Sequence, residues 1–180
     1  MKSILIPIAN GSEEIEACTL INVLRRAGFE ITVASVGELA VIGARKINLV
    51  ADKLLSDCKS KNYDGIFLPG GMPGATNLAS STLLISMLQN QASSGKFYGA
   101  ICASPAIVLA AHGLLDGKKA TCYPGFESQL PDASLATQQV VVDKNCITAQ
   151  SPGSAQKFAL KIIAVLDSEQ SAQKVRQDLC

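Results

Sequence analysis

The chain has 180 residues, of which 48% are hydrophobic and 17% charged, with 16 basic and 15 acidic residues giving a formal net charge of +1. That balance excludes a disordered chain and favours one domain over residues 1–180 with a sizeable buried core. With no Trp, 4% aromatic residues and no block of Lys or Arg, the chain lacks the footprint of a dedicated nucleic-acid binder.

The first apolar run, Ile4 to Ala9, is interrupted by Pro7 and followed by Asn10 and Glu13, too short for the core of a signal peptide. No stretch reaches the roughly 18 apolar residues of a membrane helix, so no membrane partner and a cytoplasmic location are expected. The six cysteines, Cys18, Cys58, Cys102, Cys122, Cys146 and Cys180, include no C-x-x-C pair, and the chain has one His. Free thiols in a reducing compartment, with no bound metal, are the expectation.

Residues 3–9 read as a buried strand, and 12–27 as a helix closed by Gly28. A second strand covers 30–36, and two short extended runs near 40–43 and 46–50 suggest a hairpin. Residues 63–68 form a strand that ends in Pro69-Gly70-Gly71-Met72-Pro73-Gly74, and a helix of about 20 residues is predicted to run to Gly95. A strand over 97–101 leads to a helix over 104–111 stopped by Gly113. Extended segments over 119–123 and 139–149 precede a helix over about 154–166, and the polar tail suits one more short helix. Apolar strands alternating with helices predict an α/β fold, a doubly wound, mostly parallel sheet with helices on both faces.

Such sheets place sites at the carboxyl ends of their strands. Four loops qualify: Asn10 to Glu13, Pro69 to Gly74, Cys102 to Ser104, and Gln150 to Gly153. Cys102 ends a strand and precedes a helical start at Ser104-Pro105, where a helix dipole would lower its pKa and favour thiolate. Gly99, Ala100 and Ala103 fit a tight, strained turn of the nucleophile-elbow kind. Glu16 falls in the middle of the apolar stripe made by Leu20, Val23, Leu24 and Ala27, so its carboxyl is expected buried, with a raised pKa suited to proton transfer. Glu14 falls on the opposite, solvated face, and Glu13 belongs to the first turn. Gly70 and Gly71 offer backbone N–H groups for a developing oxyanion. His112 sits at the far end of the helix after Cys102, roughly 12–15 Å away at 1.5 Å per residue, so a Cys–His dyad within one chain is disfavoured.

These segments together resemble the ThiJ/PfpI superfamily, in the branch of the Parkinson-disease-associated deglycase and the bacterial YajL proteins. The resemblance lies in Gly11-Ser12-Glu13-Glu14-Ile15-Glu16, Arg25-Arg26-Ala27-Gly28, Leu68-Pro69-Gly70-Gly71, Ala100-Ile101-Cys102-Ala103-Ser104-Pro105 and Ser151-Pro152-Gly153-Ser154. It implies a flavodoxin-like homodimer that needs no cofactor. In it Cys102 is the nucleophile or redox-sensing thiol and Glu16 its protonated partner. Gly70, Gly71 and the Ala103 amide make an oxyanion pocket, Pro152 belongs to the substrate-binding loops, and Arg45 reaches the site across the dimer. The implied activity is glutathione-independent conversion of methylglyoxal to lactate, or repair of glycated protein side chains, alongside a redox-sensing chaperone role in which Cys102 becomes a sulfinate. Two positions depart from relatives: Tyr123 stands where some carry His, as a hydrogen-bonding substitute, and Ala103 where the protease-like branch carries His. A glutaminase- or peptidase-like hydrolase would need a His that this chain does not place.

Overall fold

Runs that are apolar without alternation pair as the inner strands of a parallel sheet, because helices cover both of their faces. In the computed structural model, which describes residues 1–179, the chain runs β1 (Ser3–Ile8), α1 (Glu14–Arg26), β2 (Glu30–Ser35), β3 (Ala40–Ile42), β4 (Asn48–Val50) and β5 (Lys53–Leu54). It continues as β6 (Gly65–Leu68), α2 (Gly74–Ala79), α3 (Thr82–Ser93), β7 (Phe97–Ile101), β8 (Val140–Asp143), β9 (Cys146–Ala149), α4 (Ala155–Leu166) and α5 (Glu169–Asp178). Seven strands form one sheet in the order β5-β2-β1-β6-β7-β9-β8, parallel except for β8, while β3 and β4 form a separate antiparallel hairpin. The expected α/β fold, a doubly wound and mostly parallel sheet, is the one observed.

Alternation within each strand sends side chains to two cores. Ile4, Ile6, Ile8, Phe67 and Ile147 pack with Leu20 and Leu24 of α1 and Phe158 of α4, with Phe67 edge-on to Phe158 at 5.9 Å. Leu5, Ile66, Leu68 and Tyr98 pack on the other face with Leu84 and Leu88 of α3. The chain leaves β1 towards β2 on one side and returns to β6 on the other. The carboxyl ends of β1 and β6 therefore flank a topological switch point, where ligands of open α/β sheets bind.

Several expectations need correction. The long helix predicted before Gly95 is two helices, because the Ser81 hydroxyl accepts from the Leu84 N–H at 3.3 Å and caps a new start. Residues 119–123 form no strand: β9 already pairs with both β7 and β8, so Thr121 instead binds Thr148 Oγ1 and the Ala136 carbonyl. The segment 139–149 is a hairpin of β8 and β9, turning at Lys144 with φ +54°. The helix over 104–111 is a five-residue π turn, Pro105–Leu109, running into a 3-10 turn, Ala110–His112.

Candidate active site

Cys102 extends the last rung of β7. Its N–H donates to the Ala149 carbonyl at 2.9 Å, and its own carbonyl accepts from the Tyr123 N–H at 2.7 Å. Between these bonds the backbone takes φ +68°, a left-handed conformation that costs a non-glycine residue on the order of 1–2 kcal/mol. The strained turn expected from the small neighbours is thus present, and it leaves the thiol 7% exposed.

The loop after β6 supplies the second wall. Gly70 donates its N–H to Glu16 Oε2 at 2.6 Å and accepts at its carbonyl from the Glu13 N–H at 2.9 Å. A Cβ on Gly70 would lie 2.6 Å from the Cβ of Cys102 and 3.0 Å from Glu16 Oε2, so only glycine passes between them. The Ser104 hydroxyl donates to the Pro69 carbonyl at 2.6 Å and ties the loops after β6 and β7 together. The backbone N–H groups of Gly71 and Ala103 face the Cys102 sulfur.

Glu16 is fully buried, and its Oε1 has no hydrogen-bond partner. Burial pushes its carboxyl up to about 7, with the Glu13 charge adding to the rise and the Gly70 N–H and Cys102 opposing it. Burial also pushes the Cys102 thiol up to about 12, the Glu16 charge reinforces this, and the Gly71 and Ala103 N–H groups oppose it. The direction corrects the lowered thiol pKa expected from a helix start. The helical segment is a short π turn followed by a 3-10 turn, and burial of the sulfur, reinforced by the Glu16 charge, outweighs its field. Two adjacent buried groups resist carrying two negative charges at once, so ionisation of one holds the proton on the other.

Glu16, Gly70, Gly71, Ala103 and the backbone of Tyr123 therefore meet at Cys102. The expected oxyanion role of Gly70 does not fit, because its N–H is committed to Glu16; Gly71 and Ala103 keep theirs directed at the sulfur. The Tyr123 ring is exposed and edge-on to Phe126 at 6.5 Å. Arg45 stands exposed between β3 and β4, and Pro152 lines a hollow of about 550 Å³ with Cys18, Thr19 and Val23 of α1. His112 Nδ1 lies 2.8 Å from the Val108 carbonyl, within its own helical segment. The described cysteines are free, and Cys180 lies outside the described residues.

Two features went unread in the sequence. Glu14, expected on a solvated face, is 3% exposed because the β3–β4 hairpin folds over it. Burial raises its pKa, but the N–H groups bonded to it outweigh that and leave the carboxyl below its ordinary value; Arg45 donates at 2.7 Å and Ile47 at 3.2 Å. Ser104 as a tie between loops gave no signal beyond its place before Pro105.

The DJ-1/PfpI family model matches residues 2–165. Protein DJ-1 homolog B of Arabidopsis thaliana is 52% identical over 161 residues, covering 89% of this chain and 37% of that protein, so the chain spans little more than a third of the plant relative. The glutathione-independent glyoxalase DJR-1.2 of Caenorhabditis elegans is 34% identical, with 98% of this chain and 94% of that protein covered. The structure of oxidized DJ-1 from Toxoplasma gondii superposes with a TM-score of 0.96 at 45% identity, covering 99% of this chain and 98% of that one.

The raised Glu16 pKa has a consequence for stability. An unfolded Glu16 ionises near 4.5, whereas the folded one holds its proton to about 7. Stability present below the first value is therefore lost as pH rises through the second, by about 3 kcal/mol. Urea denaturation of Glu16→Gln should lack this loss, so that its stability relative to wild type grows between pH 4.5 and 7 and is level outside that window. Parallel profiles for the two proteins would show that Glu16 is not buried as described.

Proposed function

The chain belongs to the DJ-1/PfpI family, and on that premise we propose that it is a cysteine-dependent, glutathione-independent glyoxalase that acts on methylglyoxal or on its adducts with protein side chains. The observation that carries this reading is Cys102 held in a strained turn, with two N–H groups at its sulfur and a carboxyl that titrates near 7 beside it. The name of the worm relative supports the same chemistry.

In this reading the Cys102 sulfur attacks the aldehyde carbon of methylglyoxal. A C–S bond forms, and the carbonyl electrons move to oxygen, where the Gly71 and Ala103 N–H groups stabilise the charge. The thiol proton passes through Glu16 to that oxygen. Glu16, again a carboxylate, takes the proton from the former aldehyde carbon and returns it to the neighbouring carbon, while the hydroxyl proton moves from the first oxygen to the second, leaving a lactoyl thioester on Cys102. Water cleaves the thioester, so one methylglyoxal and one water become one lactate and the thiol is restored. A proton carrier with a pKa near 7 suits both directions of this transfer. With a glycated side chain as substrate, Glu16 protonates the leaving amine. No metal or organic cofactor takes part.

A second reading rests on the same pair: oxidation of Cys102 by two equivalents of peroxide gives a sulfinate and two waters, and a protonated Glu16 can donate to the new oxygens. This would make the protein a redox-sensing chaperone as well.

We also propose a cytoplasmic homodimer. Ile15 on α1 and Ile42, Ile47 and Val50 on the hairpin are exposed, and Ile42 and Val50 share the outer face of β3 and β4, an apolar surface that a second copy would cover. Such a partner brings Arg45 of the hairpin towards the other site. Among the described residues no helix is long and apolar enough to cross a membrane.

Wild-type protein should convert methylglyoxal to lactate without glutathione, Cys102→Ser should lose at least ~10³-fold in kcat, and Glu16→Gln ~10²-fold or more. Turnover that survives Cys102→Ser would overturn the mechanism. Peroxide should add two oxygens at Cys102, read by peptide mass spectrometry, and Glu16→Gln should change the yield; oxidation spread evenly over all cysteines would discard the sensor reading. Sedimentation should give twice the 18.8 kDa chain mass, and Ile42→Glu should lower it; a monomer at micromolar concentration would remove the dimer.

A further inference from the structure

Among the described residues nine large apolar side chains are exposed. Met1 is terminal, five belong to α1 or the segment around the β3–β4 hairpin, and Val142 lies on the edge strand β8. The remaining two, Met72 at 50% exposure and Tyr123 at 42%, lie on the two loops whose backbones meet Cys102. Met72 follows Gly71, whose N–H faces the Cys102 sulfur, and the Tyr123 N–H donates to the Cys102 carbonyl at 2.7 Å.

The backbones that carry these side chains are held firmly. Gly71 has φ +90°, and a Cβ there would lie 2.4 Å from the Glu13 nitrogen; its carbonyl accepts from the Ala75 N–H at 2.8 Å. The Tyr123 carbonyl accepts from the Phe126 N–H at 3.1 Å, and its ring meets Phe126 edge-on. Each exposed side chain is thus carried by a loop whose backbone packs against Cys102. An apolar group left in water at such a position gains when a ligand covers it. Met adapts its shape to varied apolar partners, and Tyr offers a flat face for stacking.

We propose that Met72 and Tyr123 form an apolar rim that selects carbonyl substrates by the substituent beside the reacting aldehyde, favouring aryl and bulky alkyl 2-oxoaldehydes over glyoxal. This rests on the reading of Cys102 as a carbonyl-attacking nucleophile. The rim residues touch the substituent and take no part in the proton transfers, so their effect falls on the choice between substrates.

The test compares kcat/KM for phenylglyoxal, which yields mandelate, with that for glyoxal, which yields glycolate. Met72→Ala and Tyr123→Ala should each lower the phenylglyoxal-to-glyoxal ratio by ~3-fold or more, and the double variant by ~10-fold, the size expected for losing apolar contact with one substituent. A ratio unchanged in the double variant overturns the rim. Should the wild type consume no 2-oxoaldehyde, the proposed enzyme fails, and the rim is then read from alkylation at the Cys102 peptide by N-phenylmaleimide against N-methylmaleimide. A preference for the aryl reagent that falls ~3-fold in the variants supports the rim, and equal preference in all the proteins overturns it.

Discussion

Both polar backbone groups of Gly70 are given to the first turns of α1: its N–H to the Glu16 carboxyl and its carbonyl to the Glu13 N–H. Through this residue the loop after β6 is sewn to the loop after β1 at the switch point of the sheet. Because Gly70 has no side chain, the Cβ of Cys102 can come up behind it. Larger residues would part the acid from the sulfur, and with them the loops they bridge. The catalytic proposal, the pKa of Glu16 and the placement of Gly71 all depend on this one close passage.

The electrostatics follow from the same closeness. A carboxyl and a thiol share a dry site, and together they accept one negative charge. Donors are few: one N–H for Glu16, and the Gly71 and Ala103 N–H groups at the sulfur. That scarcity keeps a proton on the pair near neutral pH, which a stable core would not require and a proton-shuttling site uses. Destabilisation at Glu16 and the proposed reactivity at Cys102 are two readings of one arrangement.

Much of this was legible in the amino-acid order. Apolar runs such as Ile4 to Ile8 and Gly65 to Leu68 mark inner parallel strands, and an acidic residue inside the stripe of α1 marks Glu16. What escaped depends on contacts between distant segments. Glu14 is buried only because a hairpin some thirty residues later closes over it. The segment 119–123 has strand-like composition, yet the sheet has no free ladder beside β9 for it. Gly70 read as a donor to substrate, since the sequence cannot tell which of two adjacent glycines meets the helix. The direction of the thiol pKa is not legible in sequence, because a helix start is a local signal, while burial and a facing carboxyl are not.

The left-handed turn at Cys102 also limits what could replace the residue. At φ +68° a side chain branched at Cβ collides with its own backbone, whereas an unbranched one fits at moderate cost. Threonine, an able nucleophile elsewhere, is shut out by conformation alone. Serine and asparagine are sterically admissible, and asparagine is among the residues most at ease there. Drift at this position is therefore channelled: glycine, asparagine and small unbranched side chains fit the turn, none of them a match for the thiol as a nucleophile, and branched residues are disfavoured.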